Sequence, residues 1–182
     1  MKLNSVDSRT LNESELIKTS FKRNKNALEP EPEFGKEKCV TKVKLENGFK
    51  CIIEGNGWEI ISDLEKNSGG KNEGPNPGVL ACGAFGSCIA MDYKILAAQM
   101  GIKINNISIT IEAVPDEHKE DHNISTSYSI IKYEVELESD SDYEDVLRVL
   151  DLAEVRSSIH NLYKFGTHIA RKVKINEGKM IK

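Results

Sequence analysis

The segment Gly74-Pro75-Asn76-Pro77-Gly78-Val79-Leu80-Ala81-Cys82-Gly83-Ala84-Phe85-Gly86-Ser87-Cys88 constrains the chain more than any other. A Gly/Pro turn runs straight into an apolar stretch rich in small residues. Asn76 suits an N-cap, and Pro77 suits the first helical position, where its missing N–H is of no consequence. The helix so opened runs to about Met100, and Gly101 can end it. An interior Gly costs roughly 1 kcal/mol against Ala in a helix. Gly78, Gly83 and Gly86 together therefore predict close backbone packing, either at a helix crossing in a core or at a dimer interface. Cys88 falls about three turns in, where a thiol is either packing or chemistry.

The rest of the chain alternates between strand and helix signals. Residues 1–37 read as a polar N-terminal arm with one short amphipathic helix. Leu11, Leu16, Ile17 and Phe21 form its stripe, Asn12 or Ser14 its cap, and Glu29-Pro30-Glu31-Pro32-Glu33 its breaker. The arm is either a surface appendage or a wrap around a partner subunit. From Cys39 the period is two. Strands on either side of Asn47-Gly48 make a hairpin, and matching faces predicts a three-residue loop that pairs Leu45 with Phe49 and Val43 with Cys51. That pairing puts Cys39 and Cys51 on an inward face. Gly55-Asn56-Gly57 is a second turn, Trp58–Ser62 a third strand, and 63–74 a polar loop with Gly69-Gly70. After the long helix, 102–113 alternates with a phase shift at Asn105-Asn106, which reads as a bulge. Residues 125–138 form another strand. Ser141-Asp142-Tyr143-Glu144 reads as a capping box opening a second helix, which Ser157-Ser158 loosens or breaks. Gly166 ends the helical region, and 168–175 reads as a last strand.

Bulk properties exclude several classes. With 182 residues and a net charge of −4, the chain can build a real core and is not a nucleic-acid binder by charge. The longest apolar run, Val79–Met91, is too short to span a membrane, and the N-terminus lacks an apolar signal core. The expectation is a cytoplasmic protein whose four cysteines, Cys39, Cys51, Cys82 and Cys88, are thiols. No cofactor or metal is expected. His118 and His122 have i, i+4 spacing, but they sit in a polar loop.

Gly69-Gly70, Gly74-Pro75-Asn76-Pro77 and the small-residue helix reaching Gly86-Ser87-Cys88 resemble the OsmC/Ohr family of osmotically inducible and organic-hydroperoxide-resistance proteins. The likeness covers about residues 38–176, and the arm is similar to one in a less-studied OsmC-like branch. The resemblance implies an α+β fold with two central helices packed on antiparallel sheets, and an intertwined homodimer with its sites near the subunit interface. It divides the chain into the arm, 1–37, and an OsmC-like domain, 38–182. It also implies a peroxide-attacking thiol at Cys88 and places Ser157 at the resolving-cysteine position.

The residues depart from the family pattern around that thiol. Gly78 stands where the family has Glu, and no Arg occurs between residues 24 and 147. A supporting cation must then be a Lys such as Lys50, Lys66 or Lys71, or else Arg156. Asp92, four residues beyond Cys88, shares its face and would disfavour a thiolate. A Ser at 157 cannot form a disulfide. Cys82 lies about 9 Å along the helix axis from Cys88, beyond bridging distance, and Cys51 or Cys39 can serve only if their strand packs over Cys88. Ser157, Ser158 and His160 can line a modified site.

Two readings stay open. One is a one-cysteine thiol peroxidase acting on organic or hydrogen peroxide, with an external thiol reductant. The other is a non-catalytic dimer holding a small apolar or thiol-reactive ligand at the interface.

Overall fold

The computed structural model describes residues 13–28, 38–115, 128–167, 169–171, 173–175 and 179–181. Its centre is the long helix. Helix α1 spans Glu13–Leu28, strands β1, β2 and β3 span Lys42–Leu45, Cys51–Gly55 and Trp58–Ser62, and helix α2 spans Pro77–Met100. Strands β4 and β5 cover Ile104–Pro115 and Tyr128–Ser139, helices α3 and α4 cover Tyr143–Arg156 and Ser158–Phe165, and β6 and β7 cover Val173–Ile175 and Lys179–Ile181. The architecture is α+β with antiparallel sheets, as expected.

Helix α2 begins and ends where its sequence says. The Asn76 side chain accepts from the Val79 N–H at 3.0 Å, Pro77 opens the helix, and Gly101 closes it at φ 75°. At 24 residues the helix is, by length and composition, long and apolar enough to cross a membrane, more so than the Val79–Met91 run suggests. In this fold it packs on β4, α3, α4 and α1. Phe85, Ile89, Tyr93, Leu96 and Ala97 are buried along it, with Val149 and Ala153 of α3 and Ile104 of β4. Gly86 lets α2 sit directly on the sheet, because a Cβ there would lie 2.7 Å from Ile111 Cδ1.

Strands β4 and β5 form a long antiparallel ladder, with Ile107 opposite Leu137, Ile109 opposite Val135 and Ile111 opposite Tyr133. The register shifts between Ile104 and Asn106. One extra residue at Asn105 keeps Ile104 and Ile107 both facing the core, the phase change expected from the sequence. The other sheet has the order β1-β2-β3. Asn56 and Gly57 join β2 to β3 at φ 50° and 80°, the positive values a two-residue hairpin turn needs.

Four expectations need correction. The β1–β2 register pairs Leu45 with Cys51 and Val43 with Ile53, and Glu46 N–H donates to the Lys50 carbonyl at 2.8 Å. The loop is therefore Asn47–Phe49, one residue further along than face matching placed it. Cys39 is exposed ahead of β1 and Cys51 is only half-buried, because α2 packs on β4 and the other helices rather than on this sheet. The capping box does not form. Asp142 is the N-cap, and the Ser141 hydroxyl instead accepts from the Lys103 N–H at 3.2 Å. The C-terminal strand region carries a pair, β6 with β7, rather than one strand.

Helix α1 is longer than the short stripe implied. It lies on α2, with Glu13 Oε2 3.2 Å from Lys94 Nζ. The Pro/Glu breaker at 29–33 and the histidines His118 and His122 lie outside the described residues.

Candidate functional site

The loop before α2 is organised by Asp63, which is buried. Its carboxylate accepts from the N–H groups of Leu64 at 2.8 Å, Lys71 at 2.9 Å and Glu73 at 3.2 Å. Burial alone would push this carboxyl upward, but the three backbone donors outweigh it and hold Asp63 below its ordinary value. The Ser62 hydroxyl donates to the Pro75 carbonyl at 2.9 Å. Gly70 and Gly74 close the arrangement, since a Cβ at either would collide with the carbonyl of Leu64 or Ile61. The Gly-rich loop is thus fixed by backbone approach, and it sets where α2 starts.

Three turns into α2, Cys88 is half-buried. Its thiol donates to Asp92 Oδ2 at 3.8 Å, and its sulfur lies 3.7 Å from Ser157 Oγ. The structure therefore brings together Cys88, Asp92 and Ser157 from two helical segments 69 residues apart. Ser157 is fully buried at the break between α3 and α4. Its extended ψ of 121° ends α3, and its hydroxyl accepts from the His160 N–H at 3.4 Å as the N-cap of α4. One residue both breaks the helix and aims a hydroxyl at the thiol.

The basic partners considered from sequence do not reach the sulfur by hydrogen bond among the described residues. Lys50 is held by Glu73 at 2.6 Å, and its ammonium is raised by that hydrogen bond and charge. Cys51 and Cys39 lie in or beside the β1–β3 sheet, which is not the surface α2 packs on. Cys82 faces a different region, a groove of about 740 Å³ between α2 and β4 lined by Gly78, Gly83, Gly86 and Ile111. All four cysteines are free thiols.

The chain belongs to the OsmC-like family. The family description "OsmC-like protein" matches residues 70–172, more than half of the chain. That stretch runs from the Gly-rich loop through α2, the β4–β5 ladder and the α3–α4 break, the elements that build the Cys88 site. Solved structures of the same fold include an OsmC-like protein from Mycoplasma pneumoniae, at TM-score 0.62 and 15% identity, covering 71% of this chain and 89% of the other. An organic hydroperoxide resistance protein OsmC from Legionella pneumophila aligns at TM-score 0.54 and 13% identity over 72% and 92%. An OsmC-like hydroperoxide resistance protein from Jannaschia aligns at TM-score 0.51 and 12% identity over 77% and 93%. At such identities the likeness is one of fold. No curated protein sequence matches the chain.

A second polar cluster, not expected from the sequence, joins α2, α3 and β5. Tyr93, fully buried, donates its hydroxyl to Glu154 Oε1 at 2.8 Å. Tyr133 of β5 shares that carboxylate. Burial and Glu154 together push its phenol up to about 12, and the same causes raise Tyr93 further. A signal existed: Tyr93 continues the Phe85–Ile89 core stripe at i+4, and a tyrosine on a core stripe needs a polar partner. His160, expected to line a modified site, has a buried Nδ1 with no hydrogen-bond partner among the described residues.

Proposed function

We propose that this OsmC-like protein is a one-cysteine thiol peroxidase acting through Cys88 on an organic or hydrogen peroxide. The observation that carries the reading is the 3.7 Å approach of Ser157 Oγ to Cys88 Sγ. In the first step sulfur attacks the outer peroxide oxygen, the O–O bond breaks, and the thiol proton leaves with the alcohol or water. Cys88 is then a sulfenic acid. A neighbouring cysteine would condense with it, but the Ser157 hydroxyl can only hydrogen-bond to it, so the sulfenic acid persists until an external thiol arrives. That thiol displaces water to give a mixed disulfide, and a second thiol releases Cys88 and carries the oxidation away as its own disulfide. The family membership and the hydroperoxide-resistance names of the Legionella and Jannaschia proteins support the reading.

A second reading, a non-catalytic ligand-binding dimer, is favoured by the Asp92 carboxylate on the thiol and by the lack of a cation hydrogen-bonded to it among the described residues. Cumene hydroperoxide consumption with excess dithiol separates the two. The peroxidase reading expects turnover by the wild type and none by Cys88→Ser, and equal consumption by both sinks it.

The same proposal includes a homodimer. Val43, Leu45, Ile60 and Trp58 form an apolar surface on β1 and β3, with Trp58 76% exposed, and a second copy would cover it. Light scattering at micromolar concentration checks this, and a monomer refutes it.

A further inference from the structure

A pocket of about 360 Å³ opens between α2, β5 and α4. Small-molecule sites run from about 300 Å³ upward and are mostly apolar with a few polar groups. The Phe85 ring lines it and meets Tyr133 and Tyr163 edge to face at centroid distances of 5.5 and 5.3 Å. Ile130 and Ile131 extend the apolar wall. The ring surfaces therefore suit a flat aromatic ligand, which packs well in offset or edge-to-face arrangements.

The charged side chain on this wall is a cation. His160 and Lys164 line the pocket, and no carboxylate does so among the described residues. The Lys164 ammonium lies 5.4 Å from the centre of the neighbouring Phe165 ring and makes no ion pair among the described residues, and its side chain is exposed. The imidazole of His160 stands 6.2 Å from Phe85, centroid to centroid. Its Nδ1 is buried and unpartnered among the described residues. A buried nitrogen of this kind calls for a missing partner, and a ligand oxygen would be one.

We propose that this pocket binds a small aromatic carboxylate. The ring lies against Phe85, Tyr133 and Tyr163, and the carboxylate reaches Lys164 and His160. The site is separate from the thiol chemistry: Phe85 and His160 lie about one turn from Cys88 and Ser157, respectively, and the proposal holds whether or not Cys88 turns over.

Isothermal titration of the full chain with 2-naphthoate at neutral pH tests it. Binding is expected with a dissociation constant on the order of 0.1 mM. Lys164→Glu, an exposed position whose replacement leaves the core intact, is expected to weaken binding at least about tenfold. Lys132→Glu, with the same charge change on the exposed face of β5, leaves it unchanged. The neutral isostere 2-naphthalenemethanol binds about tenfold more weakly than the acid. No saturable binding by the wild type, equal binding by Lys164→Glu, an equal loss in Lys132→Glu, or equal affinity for the neutral compound would each overturn the proposal.

Discussion

Helix α2 and the β1–β3 sheet are both apolar in sequence, yet the fold treats them oppositely. Ile89 and Tyr93 of α2 are completely buried, with Val149 of α3 packed in the same core. Val43 and Leu45 of β1 stand 60% and 62% exposed. The difference lies in what each finds within its own chain. The helix has β4 below it and α3 and α4 beside it, and Gly86 permits the close approach to β4. The sheet is tied to the rest through its edges and loops. Lys50 pairs with Glu73, Phe49 lies against Gly69, and Ser62 holds the Pro75 carbonyl. Apolar periodicity therefore reports burial only where a partner surface exists, and for β1 the described residues do not supply one.

The largest test of this contrast is Ile89→Ala. The side chain is fully enclosed by α3 and β4 neighbours, so truncation removes both transfer energy and packing, about 2–5 kcal/mol. Urea denaturation monitored by far-UV circular dichroism should show the midpoint falling with little change in slope. A loss below about 1 kcal/mol would mean that α2 is not the centre of the core.

Tyr93→Phe comes next. It keeps the ring and deletes the hydroxyl that donates to Glu154, at an expected cost of about 1–3 kcal/mol. The shared carboxylate gives a pH test of the same cluster. Tyr133 is raised to about 12 by burial and by Glu154, and an unfolded tyrosine titrates near 10. The neutral phenol is the form the fold prefers, so its contribution is complete below about pH 10 and is lost as pH rises toward about 12. Urea midpoints measured across that interval should fall more steeply in the wild type than in Tyr133→Phe. Parallel curves would remove Tyr133 from the account.

Sequence legibility follows the same division. The limits of α2 were readable because Asn76, Pro77 and Gly101 act locally, and the Asn105 bulge because a phase change in an isoleucine alternation is itself local. The hairpin register was not. Leu45 opposite Phe49 and Leu45 opposite Cys51 put the same residues on the same faces, so alternation cannot choose between them. The Glu46–Lys50 backbone bond and the seat of Phe49 on Gly69 decide it. Ser141 offered a capping box by spacing, but its hydroxyl is spent on Lys103, 38 residues away. In the site, the Cys88–Asp92 contact followed from i, i+4 spacing. Ser157 beside Cys88 followed only from family resemblance, and Glu154 beneath Tyr93 joins residues 61 apart with no local trace.

The smallest expected change in the stability of the chain itself sharpens the comparison most. Leu45→Ser places a hydroxyl where the single chain leaves the side chain largely in water. Surface substitutions of this kind usually change stability by no more than about 0.5 kcal/mol. If a second copy covers β1, the same change removes apolar area from the contact and adds a hydroxyl to be desolvated there. Sedimentation velocity over a dilution series should therefore show the variant dissociating at concentrations where the wild type remains dimeric. Urea midpoints of the two proteins, taken at high dilution where both are monomeric, should nearly coincide. A large fall in that monomer midpoint, comparable with Ile89→Ala, would place β1 in the chain's own core. An unchanged dimer with an unchanged midpoint would mean that the exposed sheet faces solvent in the assembled protein, and that the second copy binds elsewhere.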